Sequence, residues 1–131
     1  MGDFSKRFYV IKKDREFRYL YKKGDCCVSY GFICYYRATN KRRNRCGIVT
    51  GKKIGNAVKR NRSRRVIREA FRIFDHELTE ATGTRFDLIF VARDKTASMK
   101  STQILGTMRA KLRPLLLKRA GGSGTADKTA P

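Results

Sequence analysis

The chain has 131 residues, 40% of them apolar, with 32 Lys and Arg against 11 Asp and Glu and a net charge of +21. That length allows one domain with one modest core, and the apolar share is too high for a highly charged disordered chain. No run of about eighteen apolar residues is present to span a bilayer, and a surplus of this size repels itself in a compact fold unless a polyanion neutralises it, so a merely soluble basic surface is the weaker reading.

The first seventeen residues, MGDFSKRFYVIKKDREF, lack the apolar core of a signal peptide, which predicts a cytoplasmic protein with reduced thiols. Cys26, Cys27, Cys34 and Cys46 lack paired CxxC spacing, and His76, the single histidine, lies thirty residues beyond the last of them. No zinc site is expected, and Cys34 and Cys46 read as small core hydrophobes in strands.

Residues 1–12 read as an extended arm. A short helix follows, with Asp14 as cap, Phe17, Leu20 and Tyr21 at i, i+3 and i+4, and Gly24 at its C′ position. Residues 26–37 are rich in β-branched, aromatic and cysteine side chains and predict a strand. A basic loop over 38–44 leads to a second strand over 45–50, giving a hairpin. The connection Gly51–Asn56 enters a long helix over 57–80, whose stripe is Ile67, Ala70, Phe71, Phe74 and Leu78. Gly83 ends it. The nearly all-apolar strand 86–92 looks covered on both faces. A last helix spans 101–117, with Ile104, Leu105, Met108 and Leu112 on one side and Pro114 near its end. Residues 1–118 thus form a single domain, and 119–131, polar and small, form a disordered tail. The class is α+β, with three helices and a mixed sheet of which one strand has room to split in two.

From Lys41 to Arg72 there are thirteen basic residues and one acid, Glu69, so this quarter of the chain carries +12 of the charge. On a helical wheel with Ile67 at zero, the apolar stripe covers roughly 300° to 40°, and Asn61, Arg62, Arg65, Arg68 and Arg72 fall at roughly 100° to 220°. Arg60 and Arg64 break the division by projecting onto the continuation of the stripe. Either the first turns run past the core edge or these two side chains meet something other than protein. A solvated charged face is the ordinary reading of such a helix, but salt-bridge lacing is missing here, and the flat arginine fork suits phosphate. In Gly51-Lys52-Lys53-Ile54-Gly55-Asn56, two glycines let the backbone approach a ligand at a helix N-terminus that favours anions.

The segment KKIGNAVKRNRSRRVIREAFR, Lys52 to Arg72, closely resembles the signature of the bacterial ribonuclease P protein subunit, including its Arg60-Asn61-Arg62 core. IKKDREFRYLYKKG (Ile11 to Gly24) and FDLIFVAR (Phe86 to Arg93) are similar to the family's first helix and third-strand region, so the resemblance covers about Ile11 to Leu117. It departs at Gly51, where serine is more usual, and in the tail. The resemblance implies a two-layer α-β sandwich with a mixed four-stranded sheet and a left-handed strand-helix-strand crossover, an exception to the usual hand. It implies that the chain binds a catalytic RNA and the 5′ leader of precursor tRNA. The RNA, with magnesium bound mainly by it, would then remove the leader hydrolytically. Lys59, Arg60, Asn61, Arg62, Arg64, Arg65, Arg68 and Arg72 would face that RNA.

A cleft between the first helix and the sheet would take the leader as a single strand. Unstacked RNA without fixed sequence needs aromatic faces and a basic groove. The residues matching that role are Phe17, Tyr21, Phe32, Tyr35 and Asn56, with Lys52, Lys53 and Arg93 for phosphates; core burial is an equal reading for Phe17 or Phe32 alone. No catalytic residue, protein-bound metal, membrane or protein partner is expected. A protein nuclease would need clustered carboxylates or a histidine pair, whereas the acids here are scattered and His76 stands alone. A ribosomal or other basic RNA-binding module is excluded by the signature segment, not by composition.

Overall fold

The computed structural model describes residues 9–121, and of Tyr9 and Lys52 the backbone only. After the two-residue strand β1 (Tyr9–Val10), helix α1 runs over Asp14–Lys23. Asp14 and Glu16 in its first turn and Lys22 and Lys23 in its last complement the helix dipole. The expected cap is corrected by one residue: Lys13 holds the extended N-cap position without a side-chain bond, and Asp14 is already helical. Gly24 ends the helix with a φ of −83°, so left-handed freedom is not what it supplies. A Cβ there would come 2.7 Å from the Leu20 carbonyl oxygen and 2.9 Å from that of Tyr36. The requirement is close backbone approach.

The expected strand over 26–37 is two strands, β2 (Asp25–Val28) and β3 (Phe32–Thr39), paired antiparallel with Cys27 opposite Cys34. Their turn is closed by Ser29, whose amide and hydroxyl both donate to the Phe32 carbonyl, at 2.9 and 2.7 Å. A second correction concerns the hairpin. Strand β4 (Arg45–Val49) does not pair with β3, because β5 (Arg85–Ala92) lies between them, antiparallel to β3 and parallel to β4. Asn44 directs this arrangement: buried, it accepts the Phe86 amide on Oδ1 at 2.7 Å and donates from Nδ2 to Asp75 at 2.8 Å. It thereby anchors the start of β4 on β5 and on the long helix. The apolar β5 takes the centre, as a strand with both faces covered should. The sheet order is β1-β4-β5-β3-β2, four main strands with the short β1 added in parallel beside β4.

Helix α2 (Ala57–Ala81) crosses from β4 to β5. The third helical rod is α3 (Ser101–Thr107), a π turn (Met108–Leu112) and α4 (Arg113–Gly121) in unbroken succession. Pro114 has no N–H to return to the Ala110 carbonyl, which accounts for a widened turn just before it. The rod passes the expected tail boundary at residue 119, and Arg119 pairs with Asp25 at 3.1 Å. The rest of that tail, and residues 1–8 of the expected arm, lie outside the described residues. The arm's end is docked, with the Ile11 amide donating to the Cys46 carbonyl at 3.0 Å and its side chain buried.

Strand alternation divides the apolar residues between two faces. Phe32, Cys34, Tyr36, Cys46, Phe86, Leu88 and Phe90 meet Ile67, Phe71, Phe74 and Leu78 of α2 and Ile104, Met108 and Leu112 of the rod in the main core. The predicted α2 stripe is buried in full. Burial pushes the Cys34 and Cys46 thiols upward, so both pack as neutral core groups, as their strand positions suggest. On the opposite face, Ile11, Leu20 and Ile89 form a smaller cluster under α1, with Phe17, Tyr35, Val49 and Val91 around it.

Candidate nucleic-acid interface

Helix α1 covers only part of its sheet face, and three contacts fix where it lies. Leu20 packs into the cluster with Ile11 and Ile89. Phe17 lies over Gly47 of β4, where a Cβ would fall 2.8 Å from a ring carbon, so glycine is what lets the ring descend onto the strand. Arg45 donates to both carboxylate oxygens of Asp87 at 2.8 Å and to Glu16 on α1 at 3.0 Å. Burial alone would raise the Glu16 carboxyl, but the hydrogen bond and charge of Arg45 overcome it and hold the group below the ordinary glutamate value.

The uncovered part of the face forms an open groove of about 1000 Å³, with Ile33, Val49 and Val91 as apolar floor and Lys53, Arg93 and Lys95 among its cations. Tyr35 stands on the same face of β3 as Ile33 and meets Tyr21 edge to face, with centroids 4.9 Å apart. Tyr21 keeps 41% of its surface exposed, and burial together with Tyr35 raises its phenol. The groove's rim is braced. Arg93 donates to the Ser29 carbonyl at 2.9 Å and its amide to Thr96 Oγ1 at 2.8 Å, while that hydroxyl donates to the Gly31 carbonyl at 2.6 Å.

Of the residues expected to hold a single strand, Phe17, Tyr21, Tyr35, Lys53 and Arg93 gather on this face. Phe32 does not. Even-numbered β3 residues turn to the opposite side, where Phe32 is fully buried edge to face with Phe90, 5.2 Å between centroids, and this corrects its expected role. Asn56 is the N-cap of α2, its Oδ1 accepting the Lys59 amide at 3.0 Å, so its carbonyl is already used in folding. The Lys52 side chain lies outside the described residues. Sequence reading missed the apolar floor and the rim residues Val28, Tyr30, Lys95 and Lys111. The floor was visible as the alternate positions Val49 and Val91 of their strands; nothing local marked Lys111.

The second surface is the outer face of α2. Arg62, Arg65, Arg68 and Arg72 recur at spacings of three and four and so share one side. The anomalous Arg60 is accounted for. The core stripe continues through Ser63, fully buried with its hydroxyl donating to the Lys59 carbonyl at 3.0 Å, and the first turn runs past the core edge. Arg60 folds back to donate to the Gly55 carbonyl at 2.6 Å, and Arg64 reaches Asn61 at 3.4 Å. Gly55 has a φ of 127°, which only glycine takes up easily, so its place in the signature is explained by the turn. Arg62 donates to the Ala97 carbonyl at 2.6 Å. That carbonyl belongs to the 3-10 turn Thr96–Ser98, directly after the groove residues Arg93 and Lys95. The two surfaces therefore adjoin at one turn.

A family model described as Ribonuclease P matches residues 5–116. The ribonuclease P protein component of Oceanobacillus iheyensis is 36% identical over 125 residues, covering 95% of this chain and 97% of that protein. Its counterpart in Staphylococcus haemolyticus is 37% identical over 100 residues, covering 76% and 83%. Among solved structures, the RNase P protein of Staphylococcus aureus superposes with a TM-score of 0.66 at 32% identity, covering 82% of this chain and 94% of that one. That of Thermotoga maritima gives 0.62 at 26% identity, covering 81% and 93%.

Proposed function

The chain belongs to the bacterial ribonuclease P protein family and is a subunit of that enzyme, and we propose that it docks the catalytic RNA on α2 while holding the 5′ leader of precursor tRNA beside α1. The observation that carries this reading is the junction at Thr96–Ser98. An arginine row suited to phosphate runs into a groove with an apolar floor and a basic rim, on the sheet face that also carries the Tyr21–Tyr35 pair with Tyr21 exposed. Folded RNA meets the row through its backbone, and an unpaired leader lays bases on the aromatic groove.

Hydrolysis is assigned to the RNA, with magnesium held mainly by it. Four acids near these surfaces hold the fold, Glu16 and Asp87 through Arg45, Asp75 through Asn44 and Glu77 through Arg109, while Asp94 stands in the groove lining. Among the described residues no three His, Cys, Asp or Glu side chains gather as they would to hold an ion. Among the same residues no helix is long and apolar enough to cross a membrane, and we place the enzyme in the cytoplasm, where tRNA is processed.

The test is reconstitution. Added to ribonuclease P RNA at low magnesium, the full chain is expected to stimulate cleavage of precursor tRNA; absence of stimulation would sink the reading, and cleavage by the protein alone would move catalysis to the chain. In the same assembly, Phe17→Ala with Tyr21→Ala is expected to weaken precursor binding about tenfold, a loss in line with one stacked base, while leaving mature tRNA binding unchanged. Equal losses for both RNAs would make these rings structural.

A further inference from the structure

Helix α1 leaves the sheet open on both of its flanks, and only one of them is the groove described above. At the opposite end of the strands lies a second hollow of about 440 Å³, walled by Arg15 and Tyr19 of α1 and by Arg37, Thr39 and Lys41 at the end of β3. The Arg37 guanidinium sits over the Tyr19 ring, 4.8 Å from its centroid. Core packing does not use this ring, which remains 48% exposed. The two acids at the hollow, Glu16 and Asp87, are both taken by Arg45. Arg15, Arg37 and Lys41 therefore form no ion pair among the described residues, although the charge of Lys41 is felt at Glu16. Lys41, Arg42 and Arg43 line a further hollow alongside, which extends the basic surface.

We propose that this hollow is a second subsite for single-stranded RNA, in which a base stacks on the Tyr19–Arg37 pair and flanking phosphates meet Arg15 and Lys41. An aromatic ring and a planar cation stacked together present a flat surface that matches the face of any base. The surrounding positive charge, with its acids already neutralised, selects a polyanion. Duplex RNA fits poorly, because its base faces are covered by their neighbours and only backbone is offered. An acidic peptide would satisfy the charges but leave the stacked pair unused.

The site is separated from the leader groove by the body of α1, so the two can be read independently. The full chain would be titrated with a short oligouridylate while NMR follows the Tyr19 ring and the Arg37 guanidinium. Saturable shifts at both are expected, and they should persist in Tyr21→Ala, which disables the tyrosine pair of the other groove. Tyr19→Ala should lower affinity at the Arg37 signal about tenfold, and Tyr19→Phe, which keeps the ring, should restore it. Unaltered α1 amide signals in both variants would exclude unfolding as the cause. Silence at Tyr19 and Arg37 while the leader groove saturates overturns the proposal. So do equal shifts with an RNA duplex or with polyglutamate, either of which would reduce the hollow to a general anion-attracting surface. Loss of signals in the leader groove alone would sink the leader assignment and leave this one standing.

Discussion

Replacing Arg65 and Arg68 together by alanine is expected to weaken binding to ribonuclease P RNA by one to two orders of magnitude near physiological salt, and to flatten its dependence on salt by roughly one to two units of slope. The choice of residues follows from the fold. Arg60 and Arg62 also sit in the signature, but each donates at 2.6 Å to a backbone carbonyl, of Gly55 and Ala97 respectively. Truncating them would disturb the turn before α2 or the turn that joins the two surfaces, and a loss of RNA affinity would have two causes. No hydrogen bond or ion pair joins the guanidinium of Arg65 or of Arg68 to another group among the described residues. Their guanidinium groups are therefore available to phosphate, and removing them should leave the thermal transition within about 0.5 kcal/mol of the parent, as for ordinary surface changes. Filter binding or fluorescence anisotropy across a salt series reads the slope directly. An unchanged slope would show that the arginine row faces solvent in the complex.

The sequence showed α2 far more clearly than the sheet. A 25-residue helix repeats its pattern several times, so Ile67, Phe71, Phe74 and Leu78 define the buried side without help from the rest of the chain. Strand neighbours are settled by distant partners. Nothing near residue 44 indicates that Asn44 will bond to Phe86 and Asp75, forty-two and thirty-one residues away, and so direct β5 between β3 and β4. The aromatic candidates divided along the same line. Period-two alternation separates Phe32 from Tyr35, but which set faces α1 depends on where the helices pack. The Ser29–Gly31 turn was hidden for a further reason, since Tyr30 and its cysteine and aromatic neighbours keep the composition strand-like through a reversal made by one serine. Glycine spacing suggested ligand approach before α2, whereas Gly55 is spent on a positive φ. Gly47, which allows Phe17 onto the sheet, gave no local sign of its role.

The position of α1, and with it the shape of both flanking hollows, depends on a side chain that the signature does not contain. Arg45 is 15% exposed and satisfies two carboxylates at once, Asp87 on β5 and Glu16 on α1. Its hydrogen bonds to Asp87, and then to Glu16, push its own proton affinity further up, so the guanidinium keeps its charge. Arg45→Met keeps the apolar stem but leaves both carboxylates without their cation, and it is expected to cost roughly 3 kcal/mol at neutral pH, the lower end for breaking a largely buried pair. Glu16→Gln, which removes only the more exposed partner, is expected to cost about 1 kcal/mol or less. The pH dependence has a definite sign. Because the folded Glu16 carboxyl titrates below its ordinary value, its contribution is complete above that value and disappears as pH falls through the lowered one. The gap between parent and Arg45→Met should therefore narrow in acid, and a gap that widened there would contradict the clamp. Hydrogen exchange supplies the link to function. In Arg45→Met the amides of α1 should exchange faster while those of α2 hold, and discrimination between precursor and mature tRNA should fall with the catalytic RNA still bound through Arg65 and Arg68. Uniformly faster exchange would instead make Arg45 a support of the whole fold, with no particular hold on the helix that walls the groove.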